Sequence, residues 1–309
     1  MLNRRHLRIK VLQVLYAYFQ SNENDFKVVE KELMNSIERI YDIYLYVLLA
    51  FEELKDVEEQ KIAENKLKSK IANDRFVQNK VVALLTENNE LREASEKNKV
   101  NWIGDEHREM FKKIMLQIRE SELFFNYMQS ETNTFEEDKN FVIALFKAEI
   151  ANSPLIYNFF EEKSIHWMDD IDLACGIALK TIKQITEDGS ITIHPLFKDP
   201  EDEIPFVKTL LRKTIANDQE NVLLIDELTK NWELDRIAKM DIILMKMAIT
   251  ELQEFNNIPK KVTLNEYIEI SKFYSTPKSS GFINGILDKA IDRLIKEHKI
   301  QKIGRGLID

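Results

Sequence analysis

Cysteine, glycine and proline are all scarce in this chain of 309 residues. A single cysteine, Cys175, excludes an intrachain disulfide framework and a cysteine-based zinc site. Seven glycines, scattered along the chain, leave no loop able to cradle a phosphate, and six prolines give few breaks for this length. The five histidines never fall four apart with a glutamate between them, so a metalloprotease helix is excluded. The N-terminus is charged and no apolar run approaches ~18 residues, so neither a secretory signal nor a membrane span is visible. A cytoplasmic protein without a membrane partner is the expectation.

What is present is helical. Hydrophobic residues make up 44% of the chain, ample for a buried core. Runs of Leu, Ile, Lys, Glu and Asn at helical spacing predict an all-α fold. A first helix is expected over 3–20, with Leu7, Val11, Val14, Leu15 and Tyr18 as its buried stripe. A second follows over 27–57, then a polar stretch, 59–100, whose Ile71, Val77, Val81 and Leu84 suggest a solvated helical hairpin. Further helices are expected near 105–129, 233–256, 262–274 and 280–299.

The chain also repeats itself. "FVIALFKAEIAN" from Phe141 answers "FVKTLLRKTIAN" from Phe206 at an offset of 65 residues, which also sets Trp167 on Trp232, Asp170 on Asp235 and Leu179 on Leu244. A duplicated helical unit accounts for this, although two hairpins with similar core demands would look alike. The link between the copies holds Gly189, Pro195, Pro200 and Pro205 and marks the clearest boundary.

No catalytic constellation emerges, and no cofactor or metal is implied. Asp169, Asp170 and Asp172 cluster, but acids in a first helical turn are what the helix dipole favours. Cys175, between Ala174 and Gly176, reads as a small core residue.

Charge is more informative. The net value of −9 argues against nucleic acid, yet its distribution is uneven. Residues 1–10 carry Arg4, Arg5, Arg8 and Lys10 with no acid, giving +4, and residues 271–305 carry eight cations against three acids, giving +5. The remainder therefore holds −18. Two basic ends on an acidic body either converge into one anion-binding patch or stand apart as solvated termini. Arginines at a helix start oppose its dipole, a cost that makes sense where an anion binds. In "STPKSSGFINGILDKAIDRL", residues 275–294, Ser279 or Ser280 is expected to cap a helix whose core stripe is Ile283, Leu287, Ala290, Ile291 and Leu294. Phe282, Gly285, Lys289 and Arg293 share a face beside that stripe. An exposed aromatic there suits base stacking with cations for phosphates; packing of Phe282 and Gly285 against a neighbouring helix is the other reading.

These residues carry a resemblance. "RRHLRIKVLQVLYAYFQS" at 4–21 resembles the arginine-rich first helix of the NusB family of transcription antitermination factors, and residues 232–294 resemble its C-terminal half. "AITEL", "IPKKVTLNEYIEISK" and "FINGILDK" are the carrying motifs. The resemblance implies an all-α bundle of two small subdomains and binding of single-stranded boxA RNA with the ribosomal protein NusE, within the elongation complex. It places Arg4, Arg5 and Arg8 on the RNA surface, with Lys260 or Lys261, and Lys278, Ser279, Ser280 and Phe282 completing it; Lys289 joins through the shared helix face. Tyr16 and Asp241 fall at the NusE face. His6 stands where the family commonly has another arginine, which would make part of the patch charge depend on pH.

Family members are often about half this length. The expected organisation is 1–57, the N-terminal helices; 58–200, an inserted helical region with the partial duplication; and 201–309, the NusB-like C-terminal domain. The acidity of the insertion suits protein docking or self-association into a homo-oligomer better than RNA. Two other functions stay open: a protein-only scaffold with this fold, and a NusB-like accessory domain of an RNA methyltransferase system. The second would need a cofactor-binding sheet and a catalytic cysteine downstream of the C-terminal half, where the sequence given stops at Asp309.

Overall fold

The computed structural model describes residues 2–21, 25–68, 73–164, 167, 169–229 and 236–307. Ile71, Trp232 and Asp235, used in the expectations above, lie outside them. The fold is all-α, with helices and no strand among the described residues. It divides into two compact units: one of residues 38–196, the other joining 2–37 to 197–309. One dividing point falls between Ile37 and Glu38, inside the long helix α2, Phe26–Leu67. This helix outruns the expected end at residue 57, because Ile62 still finds a buried position.

The 38–196 unit is built on α2. Ile40, Ile43, Val47, Phe51 and Leu54 are buried along it, and Tyr44 is sealed in, its hydroxyl 2.9 Å from that of Thr181 and accepting from His194 N–H at 3.1 Å. Short helices follow, α3 (Lys80–Thr86) and α4 (Asn89–Asn98), where a solvated hairpin was expected. Asn79 starts α3 by accepting from Val81 and Val82 N–H, a side-chain cap that supplies partners for otherwise orphaned donors. The single helix expected over 105–129 is two, α5 (Asp105–Glu120) and α6 (Glu122–Gln129). Ser121 breaks them: its backbone is extended and its hydroxyl caps α6 through Phe124 N–H. Next come α7 (Phe135–Leu145), running into a π-turn over Phe146–Ile150, α8 (Pro154–Lys163) and α9 (Ile171–Gln184).

The second unit contains α1 (Arg4–Gln20), α10 (Pro200–Ala216), α11 (Asp218–Leu228), α12 (Lys239–Glu254), α13 (Lys260–Tyr274) and α14 (Ser279–Lys296), closed by a 3-10 turn at Gly304–Leu307. Its hub is α12, which packs against α10, α11, α13, α14 and α1. It is apolar almost all round, with Ile243, Leu244, Met245, Met247, Ala248, Ile249 and Leu252 buried, so it must sit at a centre. Each such Leu, Ile or Met adds roughly 1.5–3 kcal/mol by leaving water.

The two segments related by the 65-residue offset follow the same plan. In each, three helices run in order and the first packs on the third: α7 on α9, and α10 on α12. Phe141, Val142 and Leu145 are buried as Phe206, Val207 and Leu210 are. The two segments differ where α7 slips into its π-turn and α10 continues as a regular helix.

Candidate nucleic-acid interface

The first turn of α1 is fixed by a reciprocal cap. His6 N–H donates to Asn3 Oδ1 at 3.0 Å and Asn3 N–H donates to His6 Nδ1 at 3.3 Å, a capping box with histidine in the place usual for glutamate. Burial, joined by the charge of Arg5 and opposed by Glu266, lowers the His6 pKa. The neutral ring that this cap requires is thus the favoured one, and the pH-dependent charge expected of His6 moves to more acid conditions.

From that turn the three arginines diverge. Arg8 points inward: it is 2% exposed and forms a bidentate pair with Glu251 of α12, both bonds 2.7 Å. Glu251 is itself wholly buried and also accepts from the Thr263 hydroxyl at 2.9 Å and the Tyr267 hydroxyl at 3.1 Å, both on α13. Burial alone would lower the Arg8 pKa; the Glu251 charge and its hydrogen bonds outweigh this and raise it. Arg5 makes a second bidentate pair, with Glu266 of α13 at 2.9 and 2.8 Å, but stays 40% exposed. Arg4 lies over the Phe206 ring, 4.2 Å from its centroid, and pairs with Asp202 of α10.

Together these residues line a groove of about 1060 Å³. Asn3, Arg4, Arg5 and Arg8 supply one side, Asp199 and Asp202 another, and Asn257, Ile258, Pro259, Val262 and Glu266 of the α12–α13 loop and α13 a third. Arg305, from the segment after α14, completes it. The two basic ends meet at one residue only: of the eight cations in 271–305, Arg305 alone lines the groove with the α1 arginines. The groove is not uniformly basic, because carboxylates accompany its arginines. Of the two lysines expected at the start of α13, Lys260 is half-buried and Lys261 exposed, and neither lines the groove.

The other expected RNA residues gather elsewhere in the same unit. Lys278, Ser279 and Phe282 line a hollow of about 420 Å³ with Arg236, Ile237, Ala238, Asp241 and Thr276. Here the cap expected of Ser279 is replaced by a different bond. Its hydroxyl donates to Asp241 Oδ2 at 2.7 Å and accepts from Thr276 N–H at 3.2 Å, and α14 begins without a side-chain cap. The Ser275 hydroxyl also bonds Asp241. Asp241, expected at a partner face, is 4% exposed and ties the 275–279 loop to α12. Ser279 is likewise buried, whereas Lys278 is exposed and Ser280 half-buried. Tyr16, the other expected partner residue, is exposed on α1.

On the expected face of α14, Arg293 pairs with Glu227 at 3.2 Å and with Glu297. Gly285, Lys289 and Arg293 are exposed and Phe282 is half-buried. A Cβ added at Gly285 would meet nothing within 4 Å, so packing inside the chain does not demand this glycine. The groove and the hollow adjoin opposite ends of α13, whose 15 residues span about 22 Å at 1.5 Å each. Only an extended ligand reaches both.

Sequence reasoning missed Arg305 and the carboxylates Asp202 and Glu251. The signal for Glu251 was present in "AITEL", a carboxylate in a helix apolar all round, which must find a buried cation.

The clusters considered for other chemistry do not assemble. Asp172 accepts from the Tyr157 hydroxyl at 2.6 Å, Asp170 takes the N-cap position of α9, and among the described residues no group of three or more His, Cys, Asp or Glu forms a metal cage. Cys175 is buried, with its thiol pushed up to about 12 by burial and by Asp172. Among the described residues no helix is long and apolar enough to cross a membrane.

The NusB family model matches residues 176–292, the stretch running from inside α9 through most of α14. The transcription antitermination protein NusB of Salinibacter ruber is 40% identical over 130 residues, covering 41% of this chain and 81% of the relative. That of Chloroherpeton thalassium is 40% identical over 116 residues, covering 36% of this chain and 55% of the relative. That of Natranaerobius thermophilus is 38% identical over 91 residues, covering 29% and 66%. No solved structure matches. Helices α10 to α13 and most of α14 fall inside the matched stretch, whereas α1 and Arg305, which carry the groove's arginines, lie outside it; with four fifths of one relative covered at this identity, the chain belongs to the NusB family of transcription antitermination proteins.

Proposed function

We propose that this protein is a non-catalytic, RNA-binding antitermination factor. In this reading it holds boxA-type single-stranded RNA with the ribosomal protein NusE and joins the transcription elongation complex to promote readthrough in ribosomal RNA synthesis. The observation that carries the reading is the meeting of α1's arginines with the start of α13 in one open groove, on an otherwise acidic chain.

Phosphate oxygens would compete with Asp202 for Arg4 and with Glu266 for Arg5, both partly exposed, in charge-assisted bonds. Arg8 acts at one remove: its buried pair fixes α1 on α12 and so aims the other two. At the far end of α13, Lys278 and Lys289 would meet phosphates while Phe282 stacks on a base and Gly285 admits the strand to the helix backbone. Ser280, Lys260 and Lys261 border these contacts. Asp241 and Ser279 hold the 275–279 loop in shape, and Tyr16 offers an exposed aromatic to the NusE partner. Residues 58–200 are the insertion, suited by its acidity to a protein partner or a second copy.

One observation favours a protein-only scaffold instead: all three arginines of α1 already have carboxylate partners. Titrating a boxA-like RNA and a scrambled control across a salt series, with and without NusE, separates the two. Tight, NusE-enhanced and salt-steep binding to the boxA-like RNA supports the RNA reading. Negligible binding to both RNAs, with NusE present, supports the scaffold.

A further inference from the structure

We infer that Arg305 is the principal phosphate ligand of the groove, held there by the segment that follows α14. This rests on the RNA-binding reading and adds a residue to it.

Three of the groove's four arginines are engaged: Arg4 with Asp202, Arg5 with Glu266 and Arg8 with Glu251. Arg305 is exposed and, among the described residues, makes no hydrogen bond or ion pair. A guanidinium without a carboxylate partner binds a phosphate with no internal pair to break, so it contributes more per contact than Arg4 or Arg5.

Its position is built rather than incidental. Ile303 N–H donates to the Asn256 carbonyl at 3.0 Å, and the Lys302 ammonium donates to the Phe255 carbonyl at 2.9 Å. Both acceptors lie in the α12–α13 loop that forms a wall of the groove. Gly306, next to Arg305, is buried directly against that loop: a Cβ there would stand 2.0 Å from the Asn256 carbonyl oxygen. No side chain fits without moving backbone. Contacts on both sides of Arg305 therefore seat the residue at the mouth, and Gly306 allows the approach.

Two variants test this, Arg305→Ala and Gly306→Ala, with RNA affinity measured from low to high salt on boxA-like and scrambled RNA. Arg305→Ala should weaken both RNAs alike, about tenfold at low salt, and flatten the salt slope by about one unit, since one phosphate contact is lost. Its melting temperature should not move. Gly306→Ala should reproduce the loss with Arg305 still present, and the double variant should lose no more than either alone. Unchanged affinity and slope in Arg305→Ala, while the wild type binds RNA, overturns the assignment and leaves the RNA reading standing. A wild type that binds neither RNA, with NusE present, sinks the RNA reading and this assignment together.

Discussion

The Arg8 guanidinium and the Glu251 carboxylate face each other in a bidentate pair at 2.7 Å, both sealed from solvent at the junction of α1, α12 and α13. Thr263 and Tyr267 saturate the remaining oxygen lone pairs, so the pair meets the condition under which a buried ion pair is tolerated. Removing one member strands the other charge. Glu251→Ala should cost about 3–5 kcal/mol of stability, read by urea unfolding. Replacing Arg8 and Glu251 together by Met and Leu should recover most of that loss. A single variant that unfolds within ~1 kcal/mol of wild type contradicts this role for the pair.

On the RNA-binding reading, Glu266 competes with phosphate for the Arg5 guanidinium that it holds. Glu266→Gln removes a negative charge from the groove and leaves the Arg5 guanidinium available. RNA affinity should rise about fivefold, close to 1 kcal/mol, as expected of a partly exposed ion pair. Arg5→Ala should instead weaken binding and lower the salt slope by about one. A fall in affinity with Glu266→Gln would mean that Arg5 binds RNA only when Glu266 orients it.

Gly285 and Phe282 make opposite demands on stability and binding. Nothing in the chain occupies the space of a Gly285 side chain, so Gly285→Ala should stabilise α14 by about 1 kcal/mol. If RNA lies against that backbone, the same variant should bind more weakly. Phe282→Ala should cost about 1–3 kcal/mol of binding through lost stacking. Thermal unfolding and RNA titration of both variants decide it: a stabilised Gly285→Ala with full affinity removes this face from the interface.

Lys302 adds a pH signature. Burial holds its ammonium down to about 8, with Glu251 opposing that shift and Lys260 adding to it, against an unfolded value of 10.5. The folded state therefore binds fewer protons than the unfolded state between pH 8 and 10.5, and stability rises across that window. Lys302→Met lacks this group. The stability of wild type relative to Lys302→Met should be flat below pH 8 and climb from there to 10.5. Parallel unfolding curves over that range would contradict the burial of the amine.

Much of this was legible in the residues. Of the expected stripe on α1, Leu7, Val11, Val14 and Leu15 are buried and Tyr18 is half-buried; on α14, Ile283, Leu287, Ala290 and Leu294 are buried and Ile291 is half-buried. Local rules failed where a distant partner intervened. Arg8 lies one turn from Val11 and Leu12, on the apolar side of α1, but its pairing depends on a glutamate 243 positions away. Ser279 looks like a cap until Asp241, far back in sequence, takes its hydroxyl. Arg305 was invisible for a related reason: its place is set by Gly306 meeting the Asn256 carbonyl, a tertiary contact that spacing along the chain does not encode.

The most direct test of the interface is photo-crosslinking of a boxA-like RNA carrying 4-thiouridine at one position at a time, with NusE present, followed by identification of the crosslinked peptides. The account predicts crosslinks at the groove, in peptides bearing Arg5, Val262 or Arg305, and others at the α14 face bearing Phe282, with positions along the RNA ordered from one to the other. Crosslinks confined to residues 38–196, or no more abundant than with a scrambled RNA, would contradict it.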